Sequence, residues 1–154
     1  MNEPALKVPP GQAFRIAFEC EQLIRRFALR NDAGDHDALA EMFVEDGSFA
    51  RPTAPDAPVR GREAIRALFR DRPRRFTRHL MLNTVIDALS PGRARATSYV
   101  ALYSADAGVD TAAQAPPYPA SGPHLLGGFD DELVQVEGRW LFLSRRGSLA
   151  LRIG

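Results

Sequence analysis

The hydrophobic period of this chain changes once, at Pro73. Before it, apolar residues recur at three- and four-residue spacing. After it, they alternate. That switch predicts helices first and antiparallel strands second, an α+β order. Upstream, Ile16, Cys20, Leu23, Ile24 and Phe27 fall on one stripe, while Arg15, Glu19, Gln22, Arg25, Arg26 and Arg30 lie elsewhere. The stripe predicts a helix from Phe14 to about Arg30 or Asn31, broken at Gly34. Asp35 suits the N-cap of a short second helix carrying Leu39, Ala40 and Phe43. "EDGSFARP" reads as a turn into a short strand with Phe49, and "PTAPDAPVRG" reads as a loop. A third helix, "GREAIRALFRDR", places Ala64, Ile65, Leu68 and Phe69 at helical spacing and ends at Pro73.

Downstream, "FTRHLMLNTVIDAL", "RARATSYVALYSA", "LLGGFDDELVQV" and "RWLFLSRRGSLAL" read as four long strands. The turns "SPGR" and "EGRW" pair them as two hairpins. Between the hairpins runs "DAGVDTAAQAPPYPASGP", eighteen residues rich in Pro, Ala and Gly. A connection that long is a binding loop, a lid or disordered, and residues 105–122 are the candidate lid. A curved sheet wrapped around the first helix would enclose one core with an open mouth.

At 154 residues the chain can bury one substantial core. Residues 1–11, with three prolines and a glycine, read as a flexible tail, leaving 12–154 as a single domain. A net charge of +1 supplies no global field for nucleic acid or a membrane surface. Cys20 is the single cysteine, so neither an intrachain disulfide nor a thiolate metal cluster is expected. No apolar run approaches the roughly 20 residues of a membrane span. No secretory signal is visible at the start, so a cytoplasmic location is expected.

The stretch "FALRNDAGDHDALAEMF" gathers Asp32, Asp35 and Asp37 where one helix ends and another begins. Helix offsets from Phe27 put Asn31 near the buried stripe and Asp32 on its shoulder. Asp32 either stops the helix or looks into a cavity. Asp35 fits as the cap, with Asp37 in the exposed first turn. His79 shares a strand face with Met81, Asn83 and Val85, either as a satisfied core histidine or as a base. An imidazole exchanges a proton near neutral pH, and a carboxylate partner would fix its tautomer. Asn83 could orient a carbonyl, and Tyr99 and Tyr103 could donate to an oxyanion. Asp131 and Arg145, on the last two strands, are either binding residues or a structural pair. His36 and His124 lack metal-ligand spacing, so no metal and no cofactor is expected. The arginines at 66, 70, 72, 74, 75 and 78 read as a solvated face.

Five motifs in register resemble the SnoaL-like branch of the nuclear transport factor two-like superfamily. These are the "RNDAGDHDALAEMFVEDGSF" stretch, "GREAIRALF", "RHLMLN", the "GGFDDELVQV" strand and the "GRWLFLSRR" strand. Together they span about residues 12–150. The resemblance implies an α+β cone in which three N-terminal helices pack into the concave side of a strongly bent mixed or antiparallel sheet, with an interior pocket. Scytalone dehydratase-like members place a catalytic Asp at the position matching Asp32 and a pocket histidine at the R-H position, here His79. Those members also carry a Tyr where this chain has Asn31, and another on the first strand, near Phe49 to Arg51, where this chain has none. The resemblance therefore implies proton-transfer chemistry of lyase, isomerase or cyclase type rather than that one dehydration. The expected substrate is a hydrophobic, oxygenated ring compound of polyketide, steroid or aromatic type. Phe49, Asn83, Tyr99, Tyr103, Asp131 and Arg145 are its expected binding set. The alternatives are a non-catalytic assembly module, like the small subunit of ring-hydroxylating dioxygenases, and a protein that sequesters a small apolar ligand. A homodimer or homotrimer through the outer sheet face is expected in each case.

Overall fold

The computed structural model describes residues 8–154. Helix α1 (Pro10–Ala33) begins with proline at its first position, where a missing N–H costs nothing. Residues 10 and 11 are therefore helical, and residues 1–7 of the expected tail lie outside the described residues. Gly34 ends α1 in the left-handed region, at φ 70°, and its N–H caps the Asn31 carbonyl. Helix α2 (His36–Ala40) follows at once, with the Asp35 carboxylate accepting from the Ala38 N–H. Helix α3 (Arg62–Arg70) buries Ile65 and Phe69.

The six strands are β1 (Phe43–Ala50), β2 (Val59–Arg60), β3 (Thr77–Ser90), β4 (Arg93–Ser104), β5 (His124–Val136) and β6 (Arg139–Ile153). They form one sheet in the order β2-β1-β6-β5-β4-β3. The last four are the two predicted hairpins, and the β5–β6 turn takes positive φ at both Glu137 and Gly138, as a tight two-residue turn requires. β1 joins β6 in parallel, which makes the sheet mixed. β2 is the one strand the sequence did not announce, because two residues carry no readable alternation.

Long strands in a flat sheet could not close over a helix. Register shifts at Leu82/Val85 and Ala88/Ser90 in the β3–β4 ladder, and at Leu126/Gly127 and Glu132/Leu133 in the β5–β6 ladder, bend the sheet into an open curl. The concave side takes the α1 stripe Ile16, Cys20, Ile24 and Phe27. Phe27 is the hub. Its ring centroid lies 5.7–6.5 Å from those of Phe43, Phe49, Phe69, Phe129 and Phe142. Burial of each such ring contributes about 1.5–3 kcal/mol, and each favourable aromatic pair about 0.5–1.5 kcal/mol more. The inward positions of β4 are small, Ala94, Ala96, Ser98 and Val100, which leaves room for these rings and for a cavity beyond them. The outer face stays apolar in patches, with Leu80, Leu82, Val85 and Leu89 of β3 and Tyr99 and Tyr103 of β4 exposed.

Candidate active site

The last turn of α1 ends against β3, an edge strand of the sheet. An edge strand leaves backbone N–H groups without a strand partner. Asp32 fills that need. Its Oδ2 accepts from the His79 backbone N–H at 2.9 Å, and its Oδ1 accepts from the Thr77 hydroxyl at 2.8 Å. The His79 ring reaches back as well, with Nδ1 2.6 Å from Asp32 Oδ1. Both side chains are largely buried, 18% exposed for His79 and 8% for Asp32. Burial opposes the charge on Asp32. The hydrogen bonds from the His79 ring and backbone, the electrostatic pull of His79 and the Thr77 hydroxyl outweigh it and hold the carboxyl below its ordinary range.

The far nitrogen, Nε2, is set by a second chain of contacts. Arg72 Nη2 donates to Asn31 Oδ1 at 2.9 Å. A guanidinium can only donate, so the amide oxygen must face Arg72 and the Asn31 NH2 must face His79. Asn31 Nδ2 stands 3.4 Å from His79 Nε2, which fixes Nε2 as the acceptor. The proton therefore sits on Nδ1, toward Asp32, and the Nε2 lone pair meets the Asn31 NH2 at the wall of the space beyond, so Asn31 must yield it before Nε2 can take a substrate proton.

That space is a cavity of about 200 Å³. His79, Met81, Val100 and Leu102 line one side, and Phe27, Phe49, Phe69 and Phe129 line the others. Arg51, Pro52 and Thr53 stand at its edge, and Asn31 and Arg72 complete the wall beside His79. Arg72 is stacked over the Phe69 ring, its guanidinium carbon 4.3 Å from the centroid.

The model of the SnoaL-like domain matches residues 17–146. The chain belongs to the SnoaL-like family. No curated protein matches it. Among solved structures, this SnoaL-like domain is similar to a proposed scytalone dehydratase from Novosphingobium aromaticivorans, at 22% identity, covering 94% of this chain and 90% of that one, with a TM-score of 0.78. It is also similar to an NTF2-like protein with a cystatin-like fold from the same organism, at 21% identity, 85% and 79% coverage and a TM-score of 0.64. A proposed aromatic ring hydroxylase from that organism aligns at 17% identity, 94% and 93% coverage and a TM-score of 0.69. At these identities the likeness concerns the fold.

Within this SnoaL-like fold, His79 and Phe49 line the cavity, and Asp32 stands behind His79, held to its ring without lining the cavity itself. The rest of the nominated set does not. Asn83 sits in the β3 bulge at φ 48° and is exposed, because the bulge ends the alternation that would have kept it beside His79. Thr84 and Ile86 take the inward side instead. Tyr99 and Tyr103 do share a face, but it is the outer one, and Tyr103 lies against the His124 ring. Asp131 and Arg145 point inward without lining the cavity. They form a fully buried 2.7 Å ion pair. Arg145 lies 3.9 Å from the Phe129 centroid and 4.5 Å from that of Phe27, so the pair stands behind two rings of the cavity wall. Burial pushes the Asp131 carboxyl up to about 7, against the pull of Arg145.

The 105–122 segment contributes no side chain to this cavity. It is tied to itself by Asp106 accepting from Ser121, and to the start of β3 by Tyr118 packed on Phe76. Arg51 and Thr53 both line the cavity and are exposed, so residues 51–53 mark its mouth. Sequence reasoning missed Asn31, Arg51 and Arg72 as site residues. The helix offset puts Asn31 near the buried stripe without marking it as a site residue. Arg72 reads in sequence as one more member of a solvated basic run. Among the described residues, no three His, Cys, Asp or Glu side chains gather as a metal cluster would need. No described helix is long and apolar enough to cross a membrane.

Proposed function

We propose that this SnoaL-like domain is a small enzyme that moves a proton on a hydrophobic, oxygenated ring compound. His79 Nε2 is the base, and Asp32 is its positioning partner. The supporting observation is the 2.6 Å contact between Asp32 Oδ1 and His79 Nδ1 at the wall of a mostly apolar cavity. In the reaction, Nε2 takes a proton from a carbon beside a carbonyl. Positive charge appears on the imidazole and negative charge on the carbonyl oxygen. Asp32, already ionised, stabilises the imidazolium through Nδ1–H. The imidazolium then returns the proton to another carbon, giving isomerisation, or to a departing hydroxyl, giving dehydration. A positioned base supplies about 10²–10⁴-fold, and the dry surroundings strengthen each charge interaction. We also propose that two or more copies associate through the apolar outer face of β3 and β4.

The reading is tested by deuterium exchange. Acetophenone and 4-acetylbenzoate, in heavy water with the protein, report exchange beside their carbonyl by proton NMR. The wild type should exceed the buffer rate for one or both, and His79→Gln should return it to that rate. Equal rates for the two proteins would remove the base. Ligand binding that survives with no exchange would favour a sequestering protein.

A further inference from the structure

The described arginines divide by what surrounds them. Four are not exposed: Arg62, Arg66, Arg72 and Arg145. Arg62 reaches Glu41 and Glu45, Arg66 reaches Asp37 and Glu41, and Arg145 reaches Asp131. Arg72 reaches no carboxylate among the described residues. Its one hydrogen bond goes to the neutral amide oxygen of Asn31. Partly buried cations are normally paired, because removing a charge from water without a partner is costly. Burial lowers the Arg72 pKa, and the second cavity cation, Arg51, adds repulsion where compensation is needed.

We infer that the cavity takes a single-ring carboxylate, with the carboxylate held by Arg72 and Arg51 and the ring lying between Phe49, Phe69 and His79. The inference rests on the proposed function, since it names the substrate class of the same site. Three features support it. First, Arg72 is held before any ligand arrives, stacked on Phe69 and tied to Asn31, so its other N–H groups form a fixed fork. A planar fork matches a carboxylate in two parallel hydrogen bonds. Second, the volume fits. An apolar cavity of about 150 Å³ holds benzene, so the 200 Å³ here suits one substituted ring, not a fused polycycle. Third, Asn31 joins Arg72 to His79, so a carboxylate on the guanidinium would bring the ring to the face of Nε2. The carboxylate takes no part in a covalent step. It supplies orientation and cancels the cationic field of the wall.

The test compares benzoate with benzamide, which has nearly the same shape and no charge. Binding is followed by chemical-shift titration of the labelled full-length protein. The wild type should prefer benzoate by about tenfold, the difference expected of one charge-assisted contact. Arg72→Gln should bring the ratio close to one. Arg51→Gln should narrow the ratio, and added salt should narrow it in the wild type. If Arg72→Gln does not fold, Arg51→Gln and the salt series carry the decision. Equal affinity for acid and amide, no benzoate binding, or a preference that salt and both variants leave unchanged would overturn the proposal. These readouts need no turnover. A benzoate preference retained in His79→Gln, beside a wild type that exchanges no proton, would sink the enzymatic reading and leave the anion site standing.

Discussion

Asp32 Oδ2 and Oδ1 embrace a single residue, accepting from the backbone N–H of His79 and from its ring nitrogen at once. The carboxylate does so from the last turn of α1, where the helix dipole disfavours negative charge. A helix that merely needed to stop would carry a cation there, as Arg30 does one position before Asn31. The acidic residue is tolerated because the edge of β3 supplies three donors. Placing it there costs helix stability and fixes the orientation of one imidazole, which is what a base requires.

Replacing Asp32 by Asn should test that orientation. An amide in this place can turn its NH2 toward Nδ1 and drive the ring proton onto Nε2. The lone pair would then leave the cavity. Exchange activity should fall by about 10²–10⁴-fold. Nitrogen NMR of the His79 ring should show the tautomer reversed. A variant that keeps both the wild-type tautomer and its rate would separate Asp32 from the chemistry.

The same carboxylate makes a prediction about acid stability. Its folded pKa lies below the ordinary value of 3.8, so the folded state favours the ionised form. The stability gained is complete above that ordinary value and is lost as pH falls through the lower folded value. Urea midpoints of the wild type and Asp32→Asn should differ by a constant amount near neutrality. The gap should close only below about pH 3.8. A gap that closes between pH 5 and pH 7, on the order of the histidine range, would mean that a different group holds the linkage.

The sequence made some of this geometry readable and hid the rest, for physical reasons. Asp32 could be nominated because the helix period is rigid, and a three- or four-residue step from Phe27 carries the face to the helix end. The hairpins were readable from alternation and turn residues. Alternation, however, does not say which face is inner. Tyr99 and Tyr103 looked like cavity residues for that reason, although the small inward residues Ala94, Ala96 and Ser98 leave the tyrosines outside. Asn83 fell to a bulge, which reverses every side chain beyond it and leaves little mark on composition. Arg72 could not be told from Arg70 or Arg74 in the run "RDRPRRF", because its burial is made by Phe69, Asn31 and the mouth loop rather than by its neighbours in sequence.

The Asp131–Arg145 pair gives a stability prediction independent of function. Both side chains are fully buried, and Arg145 Nε and Nη2 and Asp131 Oδ1 have no hydrogen-bond partner among the described residues. Arg145→Ala should cost about 3–5 kcal/mol, because the buried Asp131 carboxyl would lose its one partner and the space among the phenylalanines would be left empty. The double replacement Asp131→Leu with Arg145→Met should recover most of that loss, since apolar groups of similar volume suit a nest of phenylalanines. Denaturant unfolding of the three variants decides it. A double variant as weak as Arg145→Ala would show that the pair holds more than its own charges.

Leu80, Leu82 and Val85 form an apolar strip on the outer face of β3, next to Tyr99 and Tyr103 on β4. A second copy covering this strip would remove it from water, at about 25 cal/mol per Å² of apolar surface. Leu82→Asp should therefore lower the mass measured by sedimentation to that of one chain, with circular dichroism unchanged. A wild type that sediments as a single chain would leave the strip without this partner.

Gly147 links the sheet to the cavity mouth and provides the most local test of the site. A Cβ there would stand 2.6 Å from the ring and backbone nitrogen of Pro52, closer than real contacts allow. The loop holding Arg51, Pro52 and Thr53 would have to move, because the strand beneath is paired on both sides. Gly147→Ala should cost about 1–3 kcal/mol in stability, as overpacking does. It should also weaken benzoate binding more than benzamide binding, because the displaced residue is the exposed cation Arg51, while the proposed ring contacts are the buried Phe49 and Phe69. His79 and Asp32 do not touch this loop, so the ring tautomer should stay as it is. Equal weakening of acid and amide would mean that the loop closes the cavity without contributing charge to it.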